Sequence, residues 1–153
     1  MLLYTGVLDL SEGASSVESL FHKNDWVNSW RDGVYPRHHY HSTAHEVLGV
    51  YAGEAVIKFG GDDGPRLKVA KGDVVVIPAG VAHKRIRSSG EFGVVGAYPE
   101  GQTWDMCYGT EGERPEADRR ISALPDPKTD PVYGSEGPLV DHWLNREQGV
   151  YRS

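Results

Sequence analysis

The sequence predicts an all-β fold, a sandwich or barrel of short strands, on three observations. The chain has 153 residues, about the size of one ordinary domain and enough to bury a core. Its 19 glycines and 9 prolines are spread along the chain and not pooled in a linker. Between Trp26 and Tyr98, short apolar segments alternate with these turn formers, the pattern that sheets joined by tight turns require.

Taken in order, residues 2–9 alternate loosely and predict a first strand. Ser15 to Phe21 predicts a short helix: a serine can cap the first amides, and Val17, Leu20 and Phe21 share one face. Asn24 and Asp25 end it. Glu46–Ala52 and Ala55–Phe59 read as strands meeting at Gly53-Glu54, which predicts a hairpin. The cluster 60–65 (GGDDGP) predicts a turn, Arg66–Ala70 a strand, and Lys71-Gly72-Asp73 another turn. Val74–Ile77 is apolar at every position, as expected of a strand buried on both faces. Pro78-Ala79-Gly80 closes it, and strands resume at Ala82–Ser88 and Phe92–Tyr98. After Pro99 the chain is polar and proline-rich, with a short helix predicted around Ala117–Ile121. Its apolar anchors Val132, Tyr133, Leu139, Trp143 and Leu144 predict an extended tail lying over the barrel or a partner subunit. One domain is expected over 1–153, with a core at about 26–99 and a tail at 100–153.

Composition narrows the function. With 16 basic and 22 acidic residues the formal charge is −6, which argues against gripping a nucleic-acid backbone. No apolar run approaches the ~20 residues of a membrane span. The start MLLYTGVLDL lacks the basic residues and cleavage site of a signal peptide, so a cytoplasmic address is expected. The single Cys107 leaves no disulfide framework and is expected to be a small buried hydrophobe. No nucleophile triad, phosphate loop or dinucleotide fingerprint is present.

Chemistry concentrates in 33–46, GVYPRHHYHSTAHE, which holds four of the seven histidines. Imidazole is the commonest ligand of first-row metals, and a carboxylate adds charge that favours a divalent ion. Side chains two apart on a strand share a face, so His39 and His41 point inward together, Tyr40 points away and His38 lies on the other face. Glu46 can rejoin the interior after a kink. In 72–83, GDVVVIPAGVAH, a buried strand leads through a Pro/Gly turn to His83, which can aim back across the barrel.

These two stretches resemble the motifs of the cupin superfamily. The first motif, Gly-x5-His-x-His-x3–4-Glu-x6-Gly, falls on Gly33, His39, His41, Glu46 and Gly53. The second, Gly-x5-Pro-x-Gly-x2-His-x3-Asn, falls on Gly72, Pro78, Gly80 and His83, with Arg87 where asparagine is usual. The resemblance implies a cupin jelly-roll β-barrel (a double-stranded β-helix), here with a short N-terminal helix and an extended C-terminal tail. It also implies one divalent metal ion (Fe, Mn, Zn, Ni or Cu) on His39, His41, Glu46 and His83. The runs HHYHSTAHEVLGVY, GDVVVIPAGVAHKR and VVGAYPEGQTWD carry a narrower likeness, over roughly residues 26–143, to the YjlB-type bacterial cupins. It brings no established reaction.

The remaining site candidates follow from alternation. His45 neighbours an inward Glu46, so it should point outward unless a bulge reverses it. It is kept as an alternative ligand or a support to the ligands. Arg85 and Arg87 should share a face with His83, predicting guanidinium groups near the pocket and a small anionic substrate, such as a keto acid, hydroxy acid or sugar derivative. Surface ion pairing is the competing assignment. Tyr98, Trp104 and Tyr35 are candidates for the pocket wall or for the core. The functional expectation is a metal-dependent oxygenase or isomerase/lyase, the alternative a cupin that binds a small ligand without turnover. Val47, Gly49, Tyr51 and Ile86 make an outer face too apolar for water, so a homodimer is expected.

Overall fold

The computed structural model of the protein describes residues 1–144. Among the described residues there are eight strands: β1 (Leu2–Tyr4), β2 (Trp26–Asp32), β3 (Glu46–Ala52), β4 (Glu54–Phe59), β5 (Arg66–Ala70), β6 (Val74–Ile77), β7 (His83–Ser88) and β8 (Gly93–Pro99). Helix α1 (Ala14–Lys23) precedes β2, and α2 (Glu116–Ala123) and a π-helical turn (Val140–Leu144) follow β8. The strands form a five-stranded sheet in the order β1-β6-β3-β8-β2 and a three-stranded sheet in the order β5-β4-β7. Every pairing between these strands is antiparallel.

One expectation fails at Gly53. β3 and β4 are not a hairpin: β3 pairs with β6 and β8, whereas β4 pairs with β5 and β7. The turn carries the chain from one sheet to the other. Gly53 has φ 69°, and a Cβ there would meet the Phe92 backbone nitrogen at 2.8 Å, so a side chain is excluded twice over. The chain reverses where the turn residues say it does, but reversal does not fix the partner strand.

Two cores result. Leu48, Val50, Val75, Ile77 and Val94 of the larger sheet face Ala55, Ile57, Phe59 and Val69 of the smaller one. The other side of the larger sheet presents Val47, Val74, Val76, Val95 and Ala97 to Val17 and Phe21 of α1 and to Leu139. β6 contributes to both cores, which is why all four of its residues are buried and apolar.

Helix α1 starts differently from the expected serine cap. Its N-cap is Gly13, with no side-chain cap, and the Ser16 hydroxyl instead accepts the Glu12 N–H at 2.9 Å. The helix lies close on β3 because Gly49 has no side chain: a Cβ would meet Val17 Cγ1 at 2.6 Å and Phe21 Cζ at 2.8 Å. This removes the basis for a dimer face at Val47, Gly49 and Tyr51, since α1 and the C-terminal segment cover that apolar surface within the chain. The segment is also pinned by polar contacts. Trp26 Nε1 donates to the Thr129 carbonyl at 3.0 Å, Asn24 Nδ2 to that of Pro131 at 2.8 Å, and Tyr4 Oη to Asp130 at 2.7 Å.

Candidate metal centre

His39 and His83 are brought together by the backbone. They form an antiparallel bridge in which His39 N donates to His83 O at 3.2 Å and His83 N to His39 O at 2.9 Å. Residues facing each other across such a pair share a side, and the two rings lie 4.1 Å apart by centroid. His41 joins them by alternation, while Tyr40 points away and donates to Glu113 at 3.1 Å. The Pro78-Ala79-Gly80 turn is tied to this strand through Gly80 N and the His41 carbonyl at 2.8 Å. All three imidazoles are buried, and each offers a ring nitrogen within 4.8 Å of the other two. Glu46, at the head of β3 and 3% exposed, lies outside that tightest set yet touches two of its members. Its Oε2 is 3.2 Å from His41 Nε2, and its Oε1 is 3.3 Å from His83 Nε2.

The outer nitrogen of each ring is already committed. Nδ1 of His39 contacts the Arg37 carbonyl at 2.8 Å, that of His41 the Asp105 carbonyl at 2.5 Å, and that of His83 the Val81 carbonyl at 3.1 Å. A carbonyl only accepts, so each Nδ1 carries the hydrogen and each neutral ring turns an Nε2 lone pair inward. Two of these lone pairs then face carboxylate oxygens, an arrangement of acceptor against acceptor that needs a cation or a proton between. A divalent ion fits this donor set: three neutral nitrogens, one carboxylate, and backbone acceptors fixing ring orientation from behind.

The electrostatics agree. Burial would raise the Glu46 carboxyl, but hydrogen bonds and charge from His41 and His83 hold it well below the usual carboxylate range. Burial likewise pulls His41 down, yet the Glu46 contact outweighs it and the net shift is upward. His39 is lowered to about 4, by burial first and then by His83.

Residues 30–94 match the sequence model of the cupin domain. Over 127 residues the chain is 46% identical to the uncharacterized protein YjlB of Bacillus subtilis, covering 83% of this chain and 77% of that one. The chain belongs to the YjlB-type cupins. Similar solved structures include acireductone dioxygenase from Bacillus anthracis with a cadmium ion in its active centre (13% identity, TM-score 0.46, 61% of this cupin and 63% of that chain). Another is the DMSP lyase DddQ from Ruegeria pomeroyi (22% identity, TM-score 0.45, 56% of this cupin and 44% of that chain).

The histidine cluster of this cupin forms the floor of a cavity of about 590 Å³. Arg85, Tyr98, Trp104 and Tyr35 line it, together with Val34 of the first motif and with Trp30 and Met106, which lie in no recognisable motif. Arg87 does not. A bulge shifts the β4–β7 register, so that Val56 pairs with Arg87 but Ile57 pairs with Arg85. One extra residue, Ile86, flips Arg87 to the outer surface, where it borders Glu54 and Lys68.

His45 also departs from the cluster. Its Nδ1 accepts the Ala79 N–H at 2.9 Å and its ring stands edge-on to Trp143 at 4.8 Å, away from the other imidazoles. It stands outside the group of three imidazoles that could share an ion. His38 faces outward to Asp62 at 2.9 Å. Cys107 is buried, with its thiol pushed up by that burial.

Proposed function

We propose that this cupin is a metal-dependent enzyme holding one divalent transition-metal ion on His39, His41, His83 and Glu46, and acting on a small anionic molecule in the adjoining cavity. The single observation that supports it most is the set of three inward Nε2 lone pairs, two of them facing a buried carboxylate. The ion would be Fe, Mn, Zn, Ni or Cu, since a nitrogen-rich site suits all of them. Bound there, it supplies a Lewis acid for an isomerase or lyase step, or an oxygen-binding centre for an oxygenase.

The protein's own residues have separable tasks. Arg85 lies on the same face as His83, and its guanidinium is held by Nε donating to the Val34 carbonyl at 3.0 Å and Nη1 to Ser88 Oγ at 2.9 Å. The remaining N–H groups are left for a substrate carboxylate or phosphate. Tyr98 accepts the Trp30 Nε1–H at 2.7 Å. Burial and then the Glu46 charge push its phenol upward, so a proton stays on Oη beside the centre.

The alternative is a cupin that holds its ligand without turnover. It is favoured by the scarcity of free acids and bases in the lining: Glu46 is engaged by histidines, and Asp32 accepts the Gly33 N–H at 2.7 Å. Oxygen uptake by iron- or manganese-loaded protein across a panel of keto and hydroxy acids separates the readings. Uptake establishes the oxygenase, conversion without uptake the isomerase or lyase, and binding without either the non-catalytic cupin. A single 1–153 domain, a cytoplasmic setting and a homodimer complete the proposal. The dimer must now form through a surface other than the one α1 covers.

A further inference from the structure

Each of the three imidazoles borders a different wall of the cavity, and the walls differ in chemistry. Beside His83, along β7, stands Arg85. Beside His41 lie Tyr98 and Trp104, whose rings are nearly parallel (24°) with centroids 6.4 Å apart, and His41 meets both edge-on at 6.2 and 5.9 Å. Beside His39 stands Tyr35, edge-on at 5.5 Å. Tyr35 and Trp104 are each 46% exposed, so a ligand covering them gains apolar contact on entry.

Several hydrogen-bonding groups of the same lining are already engaged. Arg31 is committed to Glu18 through Nε at 3.1 Å and Nη2 at 2.6 Å. Trp30 gives its ring N–H to Tyr98, and Asp32 Oδ1 accepts the backbone N–H of Gly33. A polyhydroxylated molecule would shed hydration here with few replacements, and each unpaired hydroxyl costs affinity. Arg85, by contrast, has no acidic partner among the described residues while it lines the cavity, and its orientation is fixed by two hydrogen bonds.

Resting on the metal-centre reading above, we infer that the substrate is a carboxylate on a flat, unsaturated or aromatic body: the carboxylate on Arg85, the body against Tyr98 and Trp104, and the reacting end over the histidines. Sugar acids are disfavoured by the same walls.

The test is calorimetric titration of the full chain, with and without one equivalent of zinc, using trans-cinnamate, cinnamamide and gluconate as probes. Cinnamate is expected to bind, with cinnamamide weaker by about tenfold or more, since charge-assisted pairs to guanidinium are the strong ones. Gluconate is expected to be weaker still. Arg85→Gln should abolish the preference for cinnamate over its amide. Trp104→Ala should weaken cinnamate several-fold and leave acetate unchanged. The wild-type ranking needs no variant to fold. Gluconate binding as tightly as cinnamate, an amide equal to the acid, or no binding of any carboxylate overturns the inference. Protein that takes no zinc yet keeps the probe ranking overturns the metal reading alone.

Discussion

The ring of His41 donates through Nδ1 to the main-chain carbonyl of Asp105 at 2.5 Å. The Asp105 carboxylate in turn accepts the Ser42 N–H at 2.6 Å and the Ser42 hydroxyl. Two consecutive residues therefore hang from one residue of the loop after β8. Arg120 of α2 closes the clamp, donating from Nε to Ser42 Oγ at 2.7 Å and standing 3.7 Å from Asp105 Oδ2. The orientation of a proposed metal ligand thus depends on a segment outside the matched cupin stretch.

Asp105→Ala should loosen that loop and weaken metal affinity by about 10- to 100-fold, the range typical of lost outer partners. Arg120→Ala should do the same to a smaller degree, because its guanidinium is partly exposed. Competition titration against a zinc chelator measures both. Affinity unchanged in the two variants would mean that His41 needs no such support.

His45→Ala should keep the metal and lose stability. The substitution deprives the Ala79 N–H of its acceptor and opens a gap beside Trp143, a loss of ~1–3 kcal/mol. Metal stoichiometry and Tm, read on the same sample, check both halves. Loss of metal with Tm intact would return His45 to the ligand set.

Acidification should release the metal. Glu46 raises His41 against the effect of burial, so a proton competes with the ion for that nitrogen increasingly as pH falls. His39, lowered to about 4 by burial and His83, takes up a proton less readily. The sign for stability follows from linkage. With its folded value raised, the proton on His41 stabilises the metal-free fold at low pH, and that contribution fades as pH rises through the raised value. Zinc should therefore raise Tm more at about pH 8 than at about pH 6. A larger increment at the lower pH would contradict the tautomers assigned here.

Asp130→Ala should be the most damaging change far from the cavity. The carboxylate is fully buried and accepts Tyr4 Oη at 2.7 Å and the amides of Val132, Tyr133 and Leu139 at 2.8, 3.0 and 3.1 Å. Removing it strands four donors in a dry site, for ~3 kcal/mol or more. Denaturant melts measure this. Metal stoichiometry should be unchanged, because Asp130 joins β1 to the C-terminal segment and not to the histidines.

The sequence reveals the ligand candidates because strand alternation is regular where it matters: His39 and His41 share a face, and a Pro/Gly turn delivers His83 opposite them. It conceals Arg87 because a single-residue bulge at Ile86 leaves no compositional mark, yet turns every later side chain over. The β3–β4 connection is misread for a related reason, since Gly53 announces a turn without naming the strand that pairs next. The amphipathic face of α1 is visible in Val17, Leu20 and Phe21. That it would land on Gly49, and so bury the apolar surface expected to hold a second subunit, depends on packing between segments far apart in the chain. Trp30, Val34 and Met106 reach the cavity through the same long-range packing.

Metal ions per chain, counted by mass spectrometry in protein purified from its own host and in the His41→Ala variant prepared alongside, decide whether the four side chains share an ion. Close to one transition-metal ion per wild-type chain is expected, and almost none in the variant. An empty wild-type protein that also refuses added zinc, or a variant that keeps its ion, would contradict the shared site.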